Sequence, residues 1–253
     1  AHLPADLFSR KNAALSTPEY FRLWIVAHET SNDPSFPLRL GQAVSVESFH
    51  PLFFAALCSP NLNVAMKRLS QFKRLVGPMT VCVTDSLDST TVSLDCLDEA
   101  NPIPATMIGM ELVFMVNLVR LGTRERVEPL SVTSAVAIPN KEIYAEYFGV
   151  PISTGKSNSI KLSASDARLP FVTENVPMWN FFEPELRRRL SDVAPEANFA
   201  MRVRSSLLEL LPSGQNSIEA VARKLAVSKR TLQRRLTDES TNFQVELNKT
   251  REK

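Results

Sequence analysis

The stretch Ser217–Leu236, SIEAVARKLAVSKRTLQRRL, decides how the C-terminal part of the chain folds. Its apolar residues recur at the helical repeat in two short segments. They are Ile218, Val221, Ala222 and Leu225 in the first segment, and Leu232 and Leu236 in the second. Ser217 and Ser228 each precede a segment, where a hydroxyl can accept a hydrogen bond from a first-turn N–H group. The three-residue turn between the segments is too short for an antiparallel hairpin, so the pattern predicts a helix-turn-helix.

The second predicted helix, residues 229–238, has a polar face opposite its leucines. Arg230, Gln233 and Arg234 share that face because they are spaced i, i+3 and i+4. Arg pairs with guanine and Gln with adenine in the major groove, whereas Lys holds phosphate. The predicted DNA-binding residues are Ser228, Lys229, Arg230, Thr231, Gln233 and Arg234. The alternative is a solvated basic face on a small helical domain.

The same stretch carries a family resemblance. The run A-x-x-L-x-V-S-x-R-T-L-Q-R-R-L at 222–236, followed by Phe243 and Arg251, resembles the first of two helix-turn-helix units of the AraC family of bacterial transcription regulators. The resemblance implies that Arg230, Gln233 and Arg234 point into the major groove. Ala226 and Ser240 stand where the family usually has Gly, so a positive φ at either position would be strained.

The end of the chain matters for this expectation. Family members continue through a long helix into a second helix-turn-helix, and Lys253 falls inside that connecting helix. The resemblance therefore implies a DNA-binding domain with its second unit absent. A single unit makes few phosphate contacts, so we expect weak DNA binding unless the protein dimerises.

Composition separates the two ends of the chain. The 253 residues are 44% hydrophobic and 22% charged, which is ordinary for a soluble globular protein of up to two domains. Residues 196–253 hold 11 Lys and Arg against 7 Asp and Glu, a net charge of +4, and the remaining 18 basic and 20 acidic residues give −2. The basic excess is confined to the segment predicted to meet DNA.

Cysteine usage and hydropathy predict a cytoplasmic protein. The three cysteines, Cys58, Cys82 and Cys96, lack metal-ligand spacing and lie in apolar stretches, which indicates reduced, buried thiols. The first residues have no secretory apolar core. The longest membrane candidate, 107–119, is too short and is interrupted by Glu111 and Asn117, so no membrane is expected.

The rest of the chain predicts an α/β, or α+β, fold with a mixed or antiparallel sheet. The first helix is predicted to follow Thr17 as its N-cap, to start at Pro18 and to end between 31 and 34. Further helices are predicted at 46–57, 62–75, 105–120, 141–148, 177–190 and 199–211, and a loop at 33–44. Strands are predicted at 79–85 and 90–95, joined as a hairpin, then at 130–138, and at an edge strand over 159–162.

The N-terminal region carries a second resemblance. DP-x(3)-L-x-LG at 33–41, SPN-L at 59–62 and FGVP-I followed by N-x-I-x-L within 148–162 resemble the arabinose-binding-like domain of one AraC branch. This implies an effector-binding and dimerisation domain over 1–194, followed by the AraC-type DNA-binding domain over 195–253. An unidentified small-molecule effector and a homodimer are thereby implied, and contact with RNA polymerase is left open.

Signals for catalysis are weak. His2, His28 and His50 are widely separated, and no glycine-rich phosphate loop is present, so an enzyme, a metal site and a cofactor are not expected. The apolar helix at 105–120 could line an effector pocket, with Met107, Met110, Phe114 and Met115 around Glu111. Plain core packing is the favoured interpretation, so the effector-binding residues stay unknown.

These observations predict a sequence-specific DNA-binding transcription regulator controlled by a small-molecule effector, with residues 229–238 as the recognition helix. The alternative is a small-molecule sensor or protein-interaction module whose helix-turn-helix does not read DNA. The pair Gln233 and Arg234 beside the serine caps favours the first interpretation, since protein-binding versions do not need them.

Overall fold

The computed structural model describes residues 15–43, 50–98, 100–193, 199–211, 216–225, 227–239 and 241–251. Contacts along the chain divide it into two compact units, Ala1–Arg187 and Arg188–Lys253, which we call unit 1 and unit 2. The domain boundary predicted at 194/195 lies outside the described residues, as do Ala226, Ser240 and the predicted start of the second helix at 46.

Unit 1 combines helices with one sheet. Its helices are α1 (Thr17–Ser31), α2 (Phe36–Ala43), α3 (Pro51–Leu57), α4 (Leu62–Phe72) with a 3₁₀ turn (Lys73–Leu75), α5 (Ala105–Thr123), α6 (Lys141–Phe148), α7 (Ala164–Arg168) and α8 (Val176–Val193), which runs past the unit's end. Its strands are β1 (Met79–Asp85), β2 (Ser89–Cys96), β3 (Ser131–Ser134), β4 (Ile152–Thr154) and β5 (Asn158–Ser163). The unit is a mixed α/β domain, as predicted.

The sheet has the order β1-β2-β5-β3-β4 and is antiparallel except between β3 and β4. Val81, Leu94 and Ile160 lie on the buried face, whereas Thr80 and Lys161 alternate with them on the exposed face. The prediction that 159–162 is an edge strand was wrong, because β5 pairs with both β2 and β3. The edge next to β3 belongs to β4, a three-residue strand too short to predict from alternation.

Helix α2 corrects the predicted loop at 33–44. Pro37 occupies its second position, where the missing N–H group leaves no hydrogen bond unmade. Gly41 does not form a turn: a Cβ atom there would lie 2.6 Å from the Met110 carbonyl oxygen and 2.8 Å from Val113. Gly41 therefore permits close packing of α2 on α5, and Asn117 supports it by donating to the carbonyl of Gln42 at 3.1 Å.

Helix α5 is the core helix of unit 1. Met107, Phe114 and Met115 are buried, as the core interpretation predicts. The helix extends to Thr123 and is long and apolar enough to cross a membrane, so the prediction that this segment is too short was wrong. Because 67% of its apolar window is buried inside the protein, we assign it to the core.

The cysteines and two histidines have structural surroundings. Cys58 is buried and Cys96 is partly buried, but Cys82 is exposed, contrary to prediction, because it lies on the outer face of β1. His50 caps α3 by accepting the N–H of Leu52 at 3.3 Å. His28 lies 3.2 Å from the Thr106 hydroxyl.

Unit 2 is helical. It contains α9 (Phe199–Leu210), α10 (Ile218–Lys224), α11 (Lys229–Asp238) and α12 (Phe243–Arg251). One hydrophobic core joins these helices. Its buried residues are Phe199, Ala200, Val203, Leu207, Val221, Ala222, Leu232, Leu236 and Leu247. Leu232 and Leu236 are fully buried, which fixes the side of α11 that faces inward.

Candidate nucleic-acid interface

Each helix of the predicted helix-turn-helix begins at a serine. The Ser217 hydroxyl accepts the N–H of Ala220 at 3.1 Å, and the Ser228 hydroxyl accepts the N–H of Thr231 at 3.1 Å. Both serines have extended backbone angles, as N-cap residues require. Ser228 also lies 2.8 Å from the Thr231 hydroxyl, so both predicted contact hydroxyls help to define the start of α11.

The polar face of α11 is exposed. Arg230, Gln233 and Arg234, which we call the reading face, are all exposed, whereas Leu232 and Leu236 on the other side are buried. Ser228 and Lys229 are exposed as well, and Thr231 is half-buried. The structure therefore places the six sequence-predicted residues at the N-cap and in the first two turns of α11, with Arg230, Gln233 and Arg234 on its exposed side. A helix with this division can enter a major groove with its guanidinium and amide groups leading.

Lys229 already has a partner within the unit. Its Nζ atom donates to Glu219 of α10 at 2.6 Å, and each side chain remains about half exposed. The hydrogen bond and the positive charge of Lys229 contribute to lowering the pKa of the Glu219 carboxyl below its usual range. The ion pair links α10 to the first turn of α11 at the surface.

The far end of α11 is attached to the first residues of α9. The carboxylate of Glu239 accepts the backbone N–H groups of Phe199 and Ala200, the latter at 2.8 Å. The guanidinium carbon of Arg235 lies 5.3 Å from the centre of the Phe199 ring, within cation–π range. These contacts hold the end of α11 against the N-terminus of α9. The Glu239 carboxylate is stabilised there because the helix dipole is positive at its N-terminus.

A buried carboxylate organises α12. Glu246 is 1% exposed, accepts the Thr241 hydroxyl at 2.7 Å, and lies 2.9 Å from Arg204 of α9 and 3.3 Å from Lys249. Burial raises the pKa of Glu246, but the hydrogen bonds from Thr241 and Lys249 and the charge of Arg204 outweigh it, so the pKa is lowered. Beside this network is a cavity of about 270 Å³ that Glu239 and Asn242 help to line.

Sequence reasoning missed Glu239, Arg235 and Glu246 as supports of the reading face. Each pairs with a residue distant in sequence, so helical periodicity carries no sign of the contact. One signal was present: Glu246 falls on the apolar stripe of α12 beside Leu247, and a charged residue at a core position predicts a buried partner.

The chain belongs to the AraC family of transcription regulators. Residues 1–171 match the family described as the arabinose-binding domain of AraC transcription regulator, N-terminal. Among similar proteins is the ornithine utilization regulator of Pseudomonas aeruginosa, strain PAO1, which is 25% identical over 258 aligned residues. The alignment covers the whole of this chain and 75% of that protein.

A solved structure shares the fold. The crystal structure of the transcriptional regulator CdpR from Pseudomonas aeruginosa aligns with a TM-score of 0.50 and 19% sequence identity. The alignment covers 95% of this chain and 85% of that chain. At this identity the likeness bears on the fold alone. Family membership and the named curated relative together identify a transcription regulator.

Proposed function

We propose that this transcription regulator binds specific DNA sequences by placing α11 in the major groove. The observation that carries the proposal is the exposed reading face of Arg230, Gln233 and Arg234, set on a helix whose opposite side is fully buried. Arg230 and Arg234 would pair with guanine and Gln233 with adenine. Ser228, Lys229 and Thr231 would contact the backbone at the start of the helix and fix its register.

We further propose a division of labour along the chain. The region up to residue 194 binds a small-molecule effector and supplies the homodimer contact, and residues from 195 onward bind DNA. The description of the matching family as an arabinose-binding domain supports a small-molecule ligand without identifying it. Dimerisation raises affinity because the second helix then binds at a high effective concentration. A DNA-bound regulator of this kind acts in the cytoplasm.

The central experiment selects binding sites from random duplexes with the full chain. The selected site is then titrated with the native protein and with Arg234→Ala. We expect Arg234→Ala to weaken binding by ~1–3 kcal/mol and to relax the preference at one base position, because one bidentate pair is lost. Fluorescence anisotropy at fixed ionic strength measures the affinity, since the phosphate contribution depends on salt.

Arg223→Ala is the matched control. Arg223 is exposed on α10 and carries the same charge, but it lies outside the reading face. Its loss should weaken binding to all duplexes evenly, without changing base preference. If Arg234→Ala and Arg223→Ala behave alike at every base, or if no duplex is selected, the proposal that the helix-turn-helix reads DNA is wrong and the alternative of a protein-interaction module is favoured.

A further inference from the structure

An ion pair is buried in the interior of unit 1. The Lys73 ammonium, in the 3₁₀ turn after α4, lies 2.7 Å from both carboxylate oxygens of Glu111 on α5. Lys73 is 3% exposed and Glu111 is 5% exposed. In the ranges that the structure describes, the two groups hydrogen-bond only to each other.

A contribution to stability does not by itself explain why this ion pair is buried. Removing two charges from water is strongly unfavourable, and their attraction compensates fully only when further hydrogen bonds satisfy the remaining donors and lone pairs. Lys73 has three N–H donors but makes only these two hydrogen bonds in the described part of the chain, and the Glu111 carboxylate has further lone pairs. Two apolar residues of similar volume would hold α4 and α5 together as well or better. The charges therefore have hydrogen-bonding capacity that a ligand could use.

Two aromatic residues of α1 adjoin the pair. Tyr20 donates its hydroxyl to the carbonyl of Val76, three residues after Lys73, at 2.7 Å. Burial, together with the negative charge of Glu111, raises the pKa of Tyr20 to about 12, and the N–H group of Trp24 opposes that rise. The pKa of Tyr20 thus responds both to Glu111 and to Trp24.

The nitrogen of the Trp24 N–H group is buried. The group makes no hydrogen bond of normal geometry within the described ranges, although it is near enough to Tyr20 to act on its pKa. Its ring centre lies 6.2 Å from that of Tyr20. A buried donor without an acceptor is unfavourable, so an acceptor supplied by a ligand would be stabilised here.

Helix α1 is the element through which a ligand could reach the pair. Only Phe21 of its 15 residues is buried. An element with few buried side chains separates from its neighbours at low free-energy cost. Tyr20 and Trp24 would move with α1, which breaks the hydrogen bond to Val76 next to the 3₁₀ turn that holds Lys73 and leaves the sheet unchanged.

We propose that Lys73, Glu111 and Trp24 form the polar contacts of the effector site, and that the effector is a compact zwitterion of the α-amino-acid class. The ligand carboxylate pairs with Lys73 and accepts the Trp24 N–H, and the ligand ammonium pairs with Glu111. Each buried charge then keeps an opposite partner, so the net charge of the interior stays unchanged. A ligand with one charge would leave Lys73 or Glu111 unpaired.

This inference rests on the proposed effector control, and its test uses the two tryptophans of the chain. Trp179 is buried against α4, with the Arg68 guanidinium carbon 3.8 Å and the Phe72 ring centre 6.4 Å from the centre of its ring. In a full-length Trp179→Phe variant, Trp24 is the only tryptophan, and its fluorescence reports on the site. The standard L-amino acids and L-ornithine are titrated singly to about 10 mM, with melting temperature of the unsubstituted protein as a second measurement.

We expect at least one amino acid to give a saturable fluorescence change and a raised melting temperature. Its N-acetyl and amide derivatives, which each lack one charge, should bind about 30-fold more weakly or worse, since one buried charge is left unpaired. The double variant Lys73→Met with Glu111→Leu should fold and show neither response. Fluorescence changes that persist in the double variant, or no response to any amino acid in either measurement, overturn the proposal.

DNA binding is measured on the same samples by anisotropy. If an amino acid binds but no DNA binding is detected, the DNA-binding proposal is wrong and the proposed ligand site stands. If the protein binds DNA but responds to no amino acid, the proposed ligand site is wrong and the DNA-binding proposal stands.

Discussion

The carboxylate of Glu239, the residue directly after α11, accepts the backbone N–H of Ala200 at 2.8 Å, in the first turn of α9. An N-cap interaction normally comes from a residue beside the helix in sequence. Here it comes from a residue 39 positions away, so it fixes the start of α9 against the end of the proposed recognition helix. The orientation of the reading face therefore depends on the contact between Glu239 and the first turn of α9, away from the reading face itself.

We predict that Glu239→Gln lowers the free energy of unfolding of unit 2 by ~1–2 kcal/mol, because a charge-assisted cap becomes a neutral one. Urea denaturation followed by far-UV circular dichroism measures the change. Asp238→Asn is the control, since Asp238 is exposed and adjacent and loses the same charge. Equal destabilisation by both variants would show that net charge, and not the contact with α9, is responsible.

We predict that Lys73→Met destabilises unit 1 by ~3–5 kcal/mol, because it leaves the Glu111 carboxylate buried and unpaired. Adding Glu111→Leu should restore most of the lost stability, and Lys67→Met, at an exposed position of α4, should have little effect. Thermal and chemical denaturation compare the four proteins. If the double variant is no more stable than Lys73→Met, the charges do not act as a pair.

We predict that Ser228→Ala costs ~1 kcal/mol of stability, because the N–H of Thr231 loses its acceptor at the start of α11. Ser228→Asn should retain stability, since its side chain also caps. DNA affinity, measured by anisotropy, should fall for Ser228→Ala more than for Ser228→Asn. A stable Ser228→Ala protein with unchanged affinity would rule out a role for this cap.

We predict that the stability of unit 2 falls in acid through Glu246. Its pKa in the folded protein is below the ordinary value of 4.5, so the unfolded chain takes up the proton first as the pH decreases. The contribution is complete above about pH 5 and is lost as the pH falls through 4.5 towards the folded-state pKa. Urea denaturation at several pH values from about 3 to about 6 tests this.

Glu246→Gln supplies the comparison for the acid prediction. Its stability should vary less with pH over the same interval, because the titrating group is gone. A native protein and a Glu246→Gln variant with parallel pH profiles would contradict the assignment of acid sensitivity to this carboxylate.

Local patterns predicted several elements well, because each has its own start or stop signal. The bounds of α11, Lys229–Asp238, agree with those predicted, since Ser228 caps one end and the leucines set the period. Helix α6 also agrees: Gly149 has a φ of 81° and ends it. The hairpin of β1 and β2 was predicted from alternation, from the Val, Thr and Ser content of both strands and from the turn residues 86–89 between them. These elements are specified by residues adjacent in sequence.

The elements that were missed depend on contacts that are distant in sequence. Gly41 and Pro37 locally indicate a loop, but packing on α5 makes α2 a helix. The central position of β5 follows from its pairing with β2 and β3, which no property of 159–162 encodes. Lys73 was not singled out because its partner, Glu111, is 38 residues away. The DNA-binding role of the reading face remains a prediction.

The pairing of Lys229 with Glu219 bears on how DNA binding would respond to salt. We expect a phosphate that binds Lys229 to replace the Glu219 carboxylate, which lies 2.6 Å from the ammonium nitrogen and would repel the phosphate. Lys229 would then release a condensed cation from the duplex, while the freed Glu219 attracts one from solution. Lys229 would therefore contribute little to the net release of ions on DNA binding. The affinity should then fall less steeply with salt concentration than the number of cationic side chains in the interface suggests.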